Sequence, residues 1–166
     1  MSTKKITEFG LLLAVSLIFS YVETLVPVII AVPGIKLGLA NMITIMILYR
    51  LGGKEAVFFM TLRVVMAGFL FSGVSGILYG LSGGILSIVI MKFLKNKNAF
   101  SVLGVSIAGA IFHNAGQIIV AMFIMENVNV LFYFAVLLMA GAVSGLAVGY
   151  LSYLLMKQYN KLFPEQ

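Results

Sequence analysis

The sequence lacks two residue types on which much enzyme chemistry depends. It contains no cysteine, which excludes disulfides, thiolate metal sites and a cysteine nucleophile, and no aspartate, which leaves five glutamates as its acidic side chains. Charged residues make up 10% of the 166 residues, whereas 62% are hydrophobic. One water-soluble core cannot bury that much apolar surface in a chain of this length, so the composition predicts an integral membrane protein.

The missing residues also restrict the chemistry. The glutamates are scattered, so no two carboxylates lie at the spacing that hydrolases use, and a Ser/His/Asp triad cannot form without aspartate. The sequence has one histidine, no HExxH motif for a metal and no Walker A motif for ATP. We therefore expect a protein that is not an enzyme and that uses no metal or cofactor.

Five apolar segments account for most of the chain, and the third is too long for one membrane crossing. A transmembrane helix needs about 20 residues, and this segment has 36, so we expect it to fold back at residues 72–76, where glycine and serine interrupt the pattern. The result is an all-α membrane protein with six transmembrane helices in one domain, residues 1–166. The segments span approximately residues 9–32, 37–49, 56–91, 100–125 and 130–156.

The basic residues predict the orientation of the chain. Of the 11 lysines and arginines, Lys36 falls on the side opposite the N-terminus, Arg63 falls within a helix and the other nine share the side of the N-terminus. Such an excess places both termini in the cytoplasm. The first apolar segment has no small-residue cleavage site after it, so we expect it to remain as a helix. Short basic clusters without a single basic face indicate a lipid bilayer, and not nucleic acid, as the partner.

Small residues recur at intervals of four in three predicted helices, a spacing that lets two helix backbones approach closely. Packing within the chain is the first interpretation, and homodimerisation is the second. Gly10 and Ala14 show the same spacing once, near the cytoplasmic end of the first helix. The longer series are Gly76, Gly80 and Gly84 in the fourth helix and Gly141, Gly145 and Gly149 in the sixth.

Several polar side chains fall within the predicted helices, where each costs free energy and needs a reason. His113, Asn114 and Gln117 share one face of the fifth helix, because at 100° per residue they lie within an arc of about 100°. Most of the group lies in the outer half of the membrane, beside a loop formed by residues 33–39, and this convergence predicts an outward-facing ligand pocket. The candidate residues are Glu23, Lys36, Asn41, Arg63, Tyr79, His113, Asn114 and Gln117.

Each candidate also has a structural alternative. In the structural alternative, Arg63 is neutralised by Glu23 inside the bundle and His113 is a hydrogen-bonded core residue. Asn114 and Gln117 would then connect helices, and Lys36 would be solvated. If the residues form a site, Lys36 and Arg63 supply two cations against one carboxylate. That balance predicts an anionic or phosphate-bearing ligand with a flat or flexible apolar body, which suits the nearby aromatic rings and methionines.

Three stretches resemble a known family: PGIKLGLAN from Pro33, LRVVMAGFLFSG from Leu62 and SGILYGLSGG from Ser75. They are similar to the bacterial Gx transporter family, also called heptaprenyl diphosphate synthase component I, which in turn resembles the S components of energy-coupling factor (ECF) transporters. The resemblance implies six helices, a cytoplasmic N-terminus, and a substrate bound near the outer face under the first loop. It also implies a small-xxx-small motif on the first helix that meets a coupling subunit. Gly10 and Ala14 match this motif, with glycine where S components typically have alanine.

Two functions remain open at this point. In the first, the chain captures a small molecule outside the bacterial plasma membrane and passes it inward with an ECF coupling subunit and its ATPases. In the second, it is a non-catalytic accessory protein in prenyl-quinone or flavin-linked electron transfer or isoprenoid biosynthesis. Prenyl diphosphate synthases hold Mg²⁺ with aspartate-rich motifs, so this chain does not perform that reaction alone. Exposed Gly10 and Ala14 would favour the first function, and burial of both would favour the second.

Overall fold

The computed structural model describes residues 3–25 and 37–162, without the side chains of residues 4, 5 and 162. Within these residues the regular structure is entirely helical. A short π-helix, Gly68–Ser72, lies between the third and fourth α-helices, and a 3-10 helix, Val128–Tyr133, precedes the sixth. The α-helices are α1 (Thr3–Leu25), α2 (Leu39–Arg50), α3 (Gly53–Ala67), α4 (Gly73–Asn96), α5 (Val102–Met125) and α6 (Phe134–Leu162).

Successive helices run antiparallel, as contacts near both ends of each pair demonstrate. Consequently α1 begins and α6 ends at the same end of the bundle. Contacts between α1 and α2 join Glu8 to Arg50 and Glu23 to Leu39. Those between α3 and α4 join Gly53 to Lys92 and Gly80 to Val64. Those between α5 and α6 join Leu103 to Gly149 and Asn114 to Leu137.

The two ends of the bundle differ in charge. One end, called the basic end here, carries the basic clusters, and Lys95 there donates from Nζ to the carbonyl oxygen of Leu48 at 2.7 Å. Among the described residues, the charged side chains at the opposite end are Glu23 and Glu126. The predicted segregation of basic residues is therefore present in the structure, and its placement in the cytoplasm stays a prediction. The basic end carries Arg50, Lys54, Lys92, Lys95, Lys97, Lys157 and Lys161.

Among the described residues, four helical segments are long and apolar enough to cross a membrane: Ile6–Leu25, Gly53–Asn96, Val102–Met125 and Val128–Lys161. The second contains both α3 and α4, which fold back on each other. By contrast, α2 has 12 residues and a length of about 18 Å, which is less than the roughly 30 Å of a hydrocarbon core. The all-helical fold and the apolar helices are compatible with a multi-pass membrane protein. Six complete crossings stay a prediction.

The short helix α2 lies at the centre of the bundle, between α1, α3 and α6. Eight of its residues are buried, which explains why its sequence is apolar on every side. Its N-terminus follows Gly38, which adopts a left-handed φ of 79°. Glu23 of α1 accepts a hydrogen bond there, 2.5 Å from the backbone nitrogen of Leu39, and so satisfies one of the free N–H groups at the start of α2.

The chain reverses between α3 and α4 at Ser72 and Gly73, at the beginning of the stretch 72–76 that the sequence predicts for the turn. α3 ends at Ala67, and the π-helix continues the helical backbone as far as Ser72. Gly73, with φ of 72°, completes the reversal, and Gly76 lies inside α4. A glycine is needed at Gly73 because other residues rarely adopt that φ.

Close packing within the chain accounts for the predicted glycine series. A Cβ atom at Gly145 would lie 2.8 Å from the Cα atom of Ile107, so α6 packs directly on α5. The closest approach of α4 and α5 involves glycines that the series did not include. A Cβ atom at Gly116 would lie 2.7 Å from the carbonyl oxygen of Ser82 and 2.8 Å from the Cα atom of Gly83.

The substitution Gly116→Ala tests this packing. Its new methyl group would meet backbone atoms, which cannot rotate away, so we expect a loss of about 1–3 kcal/mol in stability and a lower thermal midpoint. Gly10→Ala is the matched control, because no atom lies within 4 Å of a Cβ at that position, and alanine favours the helix. Thermal unfolding in lipid nanodiscs measures both. Equal midpoints for the two variants would contradict the close approach of α4 and α5.

Candidate functional site

A cavity of about 640 Å³ lies between the helices, with wall residues from all six. It extends from Glu23 and Tyr133 at the end opposite the basic clusters to Met91 and Ser106 in the basic half. A volume of this size is typical of sites that bind small organic molecules. Its wall is polar around the middle of the bundle and becomes more apolar toward the basic end, where Ile88, Met91 and Val148 face it.

The structure brings seven of the eight predicted site residues to the wall of this one cavity. The eighth, Lys36, lies outside the described residues. The seven come from five different helices, so their convergence results from the packing of the bundle and not from closeness in sequence. They are Glu23, Asn41, Arg63, Tyr79, His113, Asn114 and Gln117.

Arg63 is the charged residue at the centre of the site. It is buried, with 8% of its surface exposed, and its Nη2 atom donates to Oδ1 of Asn41 at 2.8 Å. Its Nε atom is also buried and has no hydrogen-bond acceptor among the described residues. Asn41 sits in the first turn of α2 and therefore fixes the guanidinium of α3 against the centre of the bundle. A guanidinium held in this way retains N–H groups for a further acceptor.

Glu23 has a structural role that the sequence did not reveal. Besides accepting from the backbone of Leu39, its carboxylate attracts the Arg63 guanidinium electrostatically. The predicted alternative, in which Glu23 neutralises Arg63 inside the bundle, therefore has electrostatic support. The two residues lie on α1 and α3, which pack on each other and on α2, so their attraction also favours the packing of these helices.

On the polar face of α5, Asn114 connects α5 to α6 through a hydrogen bond, and His113 places its ring at the cavity wall. Asn114 donates from Nδ2 to the carbonyl oxygen of Leu137 at 2.7 Å, which is the structural alternative considered for it. The ring of His113 lies against Gly83 of α4, where a Cβ atom would come within 3.0 Å of its Cε1 and Nδ1 atoms. Gly83 therefore makes room for the imidazole at the cavity wall, beside Gln117.

Sequence reasoning missed Thr44, which also lines the cavity. Its hydroxyl is buried and has no hydrogen-bond partner among the described residues. Thr44 follows Asn41 by three positions, so both residues lie on the same face of α2. That spacing is the signal in the sequence, and it is weak because a threonine in the run MITIMIL resembles the β-branched residues around it.

The two small residues predicted to meet a partner lie on the outer face of α1. Gly10 and Ala14 are both exposed, and no atom approaches the Cβ position of Gly10 within 4 Å. Between the two functions considered above, this exposure favours the one with a docking partner. Contact with lipid would give the same exposure, and Ile18 further along the helix is exposed as well.

Together, the apolar helices and the cavity describe a helical bundle that is compatible with a multi-pass membrane protein and surrounds a partly open chamber with polar groups on its wall. The family model for heptaprenyl diphosphate synthase component I matches residues 12–155, and the chain belongs to that family. The family inferred from the three sequence stretches is thereby confirmed. No curated protein and no solved structure matches the chain, so the likeness to ECF S components stays a prediction.

Single cysteines test which side of the membrane reaches the cavity, because the chain has no cysteine of its own. Ser75→Cys places a thiol at the exposed cavity wall, and we expect a membrane-impermeant maleimide to label it in intact cells. Ile43→Cys, in the core of α2 with 1% exposure, should stay unlabelled. Asn98→Cys at the basic end should react only after the cells are permeabilised. Labelling of Asn98→Cys in intact cells would reverse the predicted orientation.

Proposed function

We propose that the protein is a substrate-binding membrane subunit of a small-molecule uptake transporter, similar in role to an ECF S component. The ligand occupies the cavity and is captured from the side opposite the basic clusters. The observation that carries this proposal is the convergence of seven polar residues from five helices on one cavity. Polar groups inside a membrane bundle are costly, and a ligand that they recognise gives them a common reason.

The composition of the wall supports an organic ligand over a simple ion. Arg63, the amides of Asn41 and Gln117, and the imidazole of His113 offer donors and acceptors in one region, while methionines and isoleucines cover the rest. Sites for organic molecules combine a mostly apolar wall with a few polar groups that fix orientation.

This sequence contains no Walker A motif, so ATP hydrolysis that drives uptake against a gradient would take place in another protein. A coupling subunit with ATPases is the partner that we infer. Gly10 and Ala14 offer it a shallow surface where a partner helix could approach closely. Their exposure on α1, away from the cavity, supports docking at a surface separate from the one that binds ligand.

The family name favours a second candidate, an accessory protein in isoprenoid or prenyl-quinone metabolism. The name describes one component of a heptaprenyl diphosphate synthase, which implies a multi-subunit assembly. Without aspartate, this chain cannot supply the clustered carboxylates that hold Mg²⁺ and diphosphate. In that case a partner would perform the reaction, and the cavity would hold an isoprenoid-like or flavin-like ligand without moving it.

Native mass spectrometry of the protein gently extracted from its own membrane distinguishes these functions. Under the transport proposal we expect a bound small molecule together with a coupling subunit. A prenylated quinone or flavin with redox proteins or a prenyltransferase, and no ATPase, would establish the accessory function instead. Absence of any bound small molecule across preparations would contradict both.

A double substitution tests the partner surface in the same experiment. Gly10→Leu with Ala14→Leu fills the shallow surface, so we expect the coupling-subunit complex to disappear while the ligand mass and the thermal midpoint stay unchanged. Val143→Leu is the control, because it adds bulk to another outward face, that of α6, where Val143 is 72% exposed. Retention of the partner by the double variant would exclude this face as the docking surface.

A further inference from the structure

We propose that the cavity selects ligands that carry a single carboxylate, which binds between Arg63 of α3 and Thr44 of α2. This inference rests on the proposed function, since it names the chemical class of the ligand held in that cavity. Thr44 thereby becomes a binding residue. The apolar body of the ligand extends toward the basic half of the cavity, where Ile88, Met91 and Val148 form the wall.

The first observation is the state of the Arg63 guanidinium. Asn41 holds one edge of it through Nη2, and the buried Nε atom finds no acceptor among the described residues. A buried donor without an acceptor costs free energy, and a guanidinium prefers planar acceptors with two oxygens, such as a carboxylate. A carboxylate bound there would satisfy the donor and neutralise the charge at once.

The second observation is independent and concerns Thr44. Its hydroxyl is a second buried polar atom without a partner in the described part of the chain, and the residue belongs to the wall of the same cavity. It lies one helical turn from Asn41 on the same face of α2, and Asn41 contacts Arg63 directly. Arg63 and Thr44 thus lie on adjacent helices, both next to Asn41, and each has an unsatisfied polar atom. This arrangement supports one shared acceptor.

Charge balance sets the number of negative charges on the ligand. Among the described residues of the cavity wall, Arg63 is the cationic side chain and Glu23 the anionic one. The Glu23 carboxylate already binds the N-terminus of α2, whose partial positive charge offsets part of its own. Glu23 therefore compensates the Arg63 guanidinium only in part, and the wall offers a ligand less than one net positive charge. A diphosphate carries far more negative charge than that, whereas a monocarboxylate comes nearest to the balance.

Thr44→Val provides a test with two opposite readouts. Valine keeps the shape and removes an unsatisfied buried hydroxyl, so we expect the ligand-free protein to have a higher thermal midpoint. If the hydroxyl donates to the ligand, the same change weakens carboxylate binding by about tenfold. Thr24→Val is the matched control, because Thr24 lines the same cavity but its hydroxyl already donates to the carbonyl oxygen of Tyr21 at 2.6 Å.

The probes are 2-naphthoate, 2-naphthol and 2-naphthyl phosphate, which share one flat apolar body and differ in head group and charge. Binding to the protein in nanodiscs is followed by naphthalene fluorescence. We expect 2-naphthoate to bind more tightly than both other probes. That preference should be lost in Arg63→Lys, which keeps the charge but lacks the planar guanidinium, and in Thr44→Val, but not in Thr24→Val.

The results separate this inference from the proposed function. A preference for 2-naphthol or 2-naphthyl phosphate, or failure of all three probes to bind, would overturn the carboxylate assignment. So would unchanged 2-naphthoate affinity in both Arg63→Lys and Thr44→Val. The small molecule sought by native mass spectrometry decides the proposed function separately. If that molecule is found together with a coupling subunit and contains no carboxylate, the transport proposal stands and the assignment of its ligand class falls.

Discussion

The burial of one guanidinium in the middle of an apolar bundle is the constraint that organises this protein. Arg63 cannot be left unsatisfied at that depth without a large cost, and the surrounding helices are placed accordingly. Asn41 on α2 binds it directly, and Glu23 on α1 attracts it while capping α2. The same contacts that stabilise the charge therefore join α1, α2 and α3 along one wall of the cavity. A group that is this well enclosed and still retains a free donor is suited to hold an anionic ligand.

The opposite wall depends on the absence of side chains. Gly83 and Gly116 allow α4 and α5 to touch through their backbones, and Gly145 brings α6 onto α5 in the same way. Buried hydroxyls add direction to this packing, as when Ser106 donates to the carbonyl oxygen of Gly145 at 2.7 Å. One wall is thus fixed by a polar network and the other by close backbone contact, and the chamber lies between them. This division explains how a chain of 166 residues encloses a cavity of this volume.

Composition and residue spacing predicted much of this arrangement, because membrane helices have strong sequence signals. The helix order, the basic end and the polar residues that face one cavity were all visible in the sequence. The reversal at residues 72 and 73 was visible as well, whereas the π-helix before it was not predicted, since a π-helix has no simple sequence signature. Thr44 was missed because its importance depends on a neighbouring helix. The role of Glu23 was missed because a helix cap supplied from another helix leaves no local sequence pattern. The contact between Gly83 and Gly116 depends on how α4 and α5 are rotated relative to each other, and the spacing of residues within either helix does not determine that rotation.

The most direct test of the account is an experimental structure of the protein in nanodiscs, purified from its own membrane without added ligand. The account predicts density for a small molecule in the cavity, with an acceptor atom within about 3 Å of the Arg63 guanidinium, while Asn41 still holds the other edge. A cavity closed by direct pairing of Arg63 with Glu23 would contradict it. In that case the buried charges would serve the fold alone, and the chamber would not be a binding site.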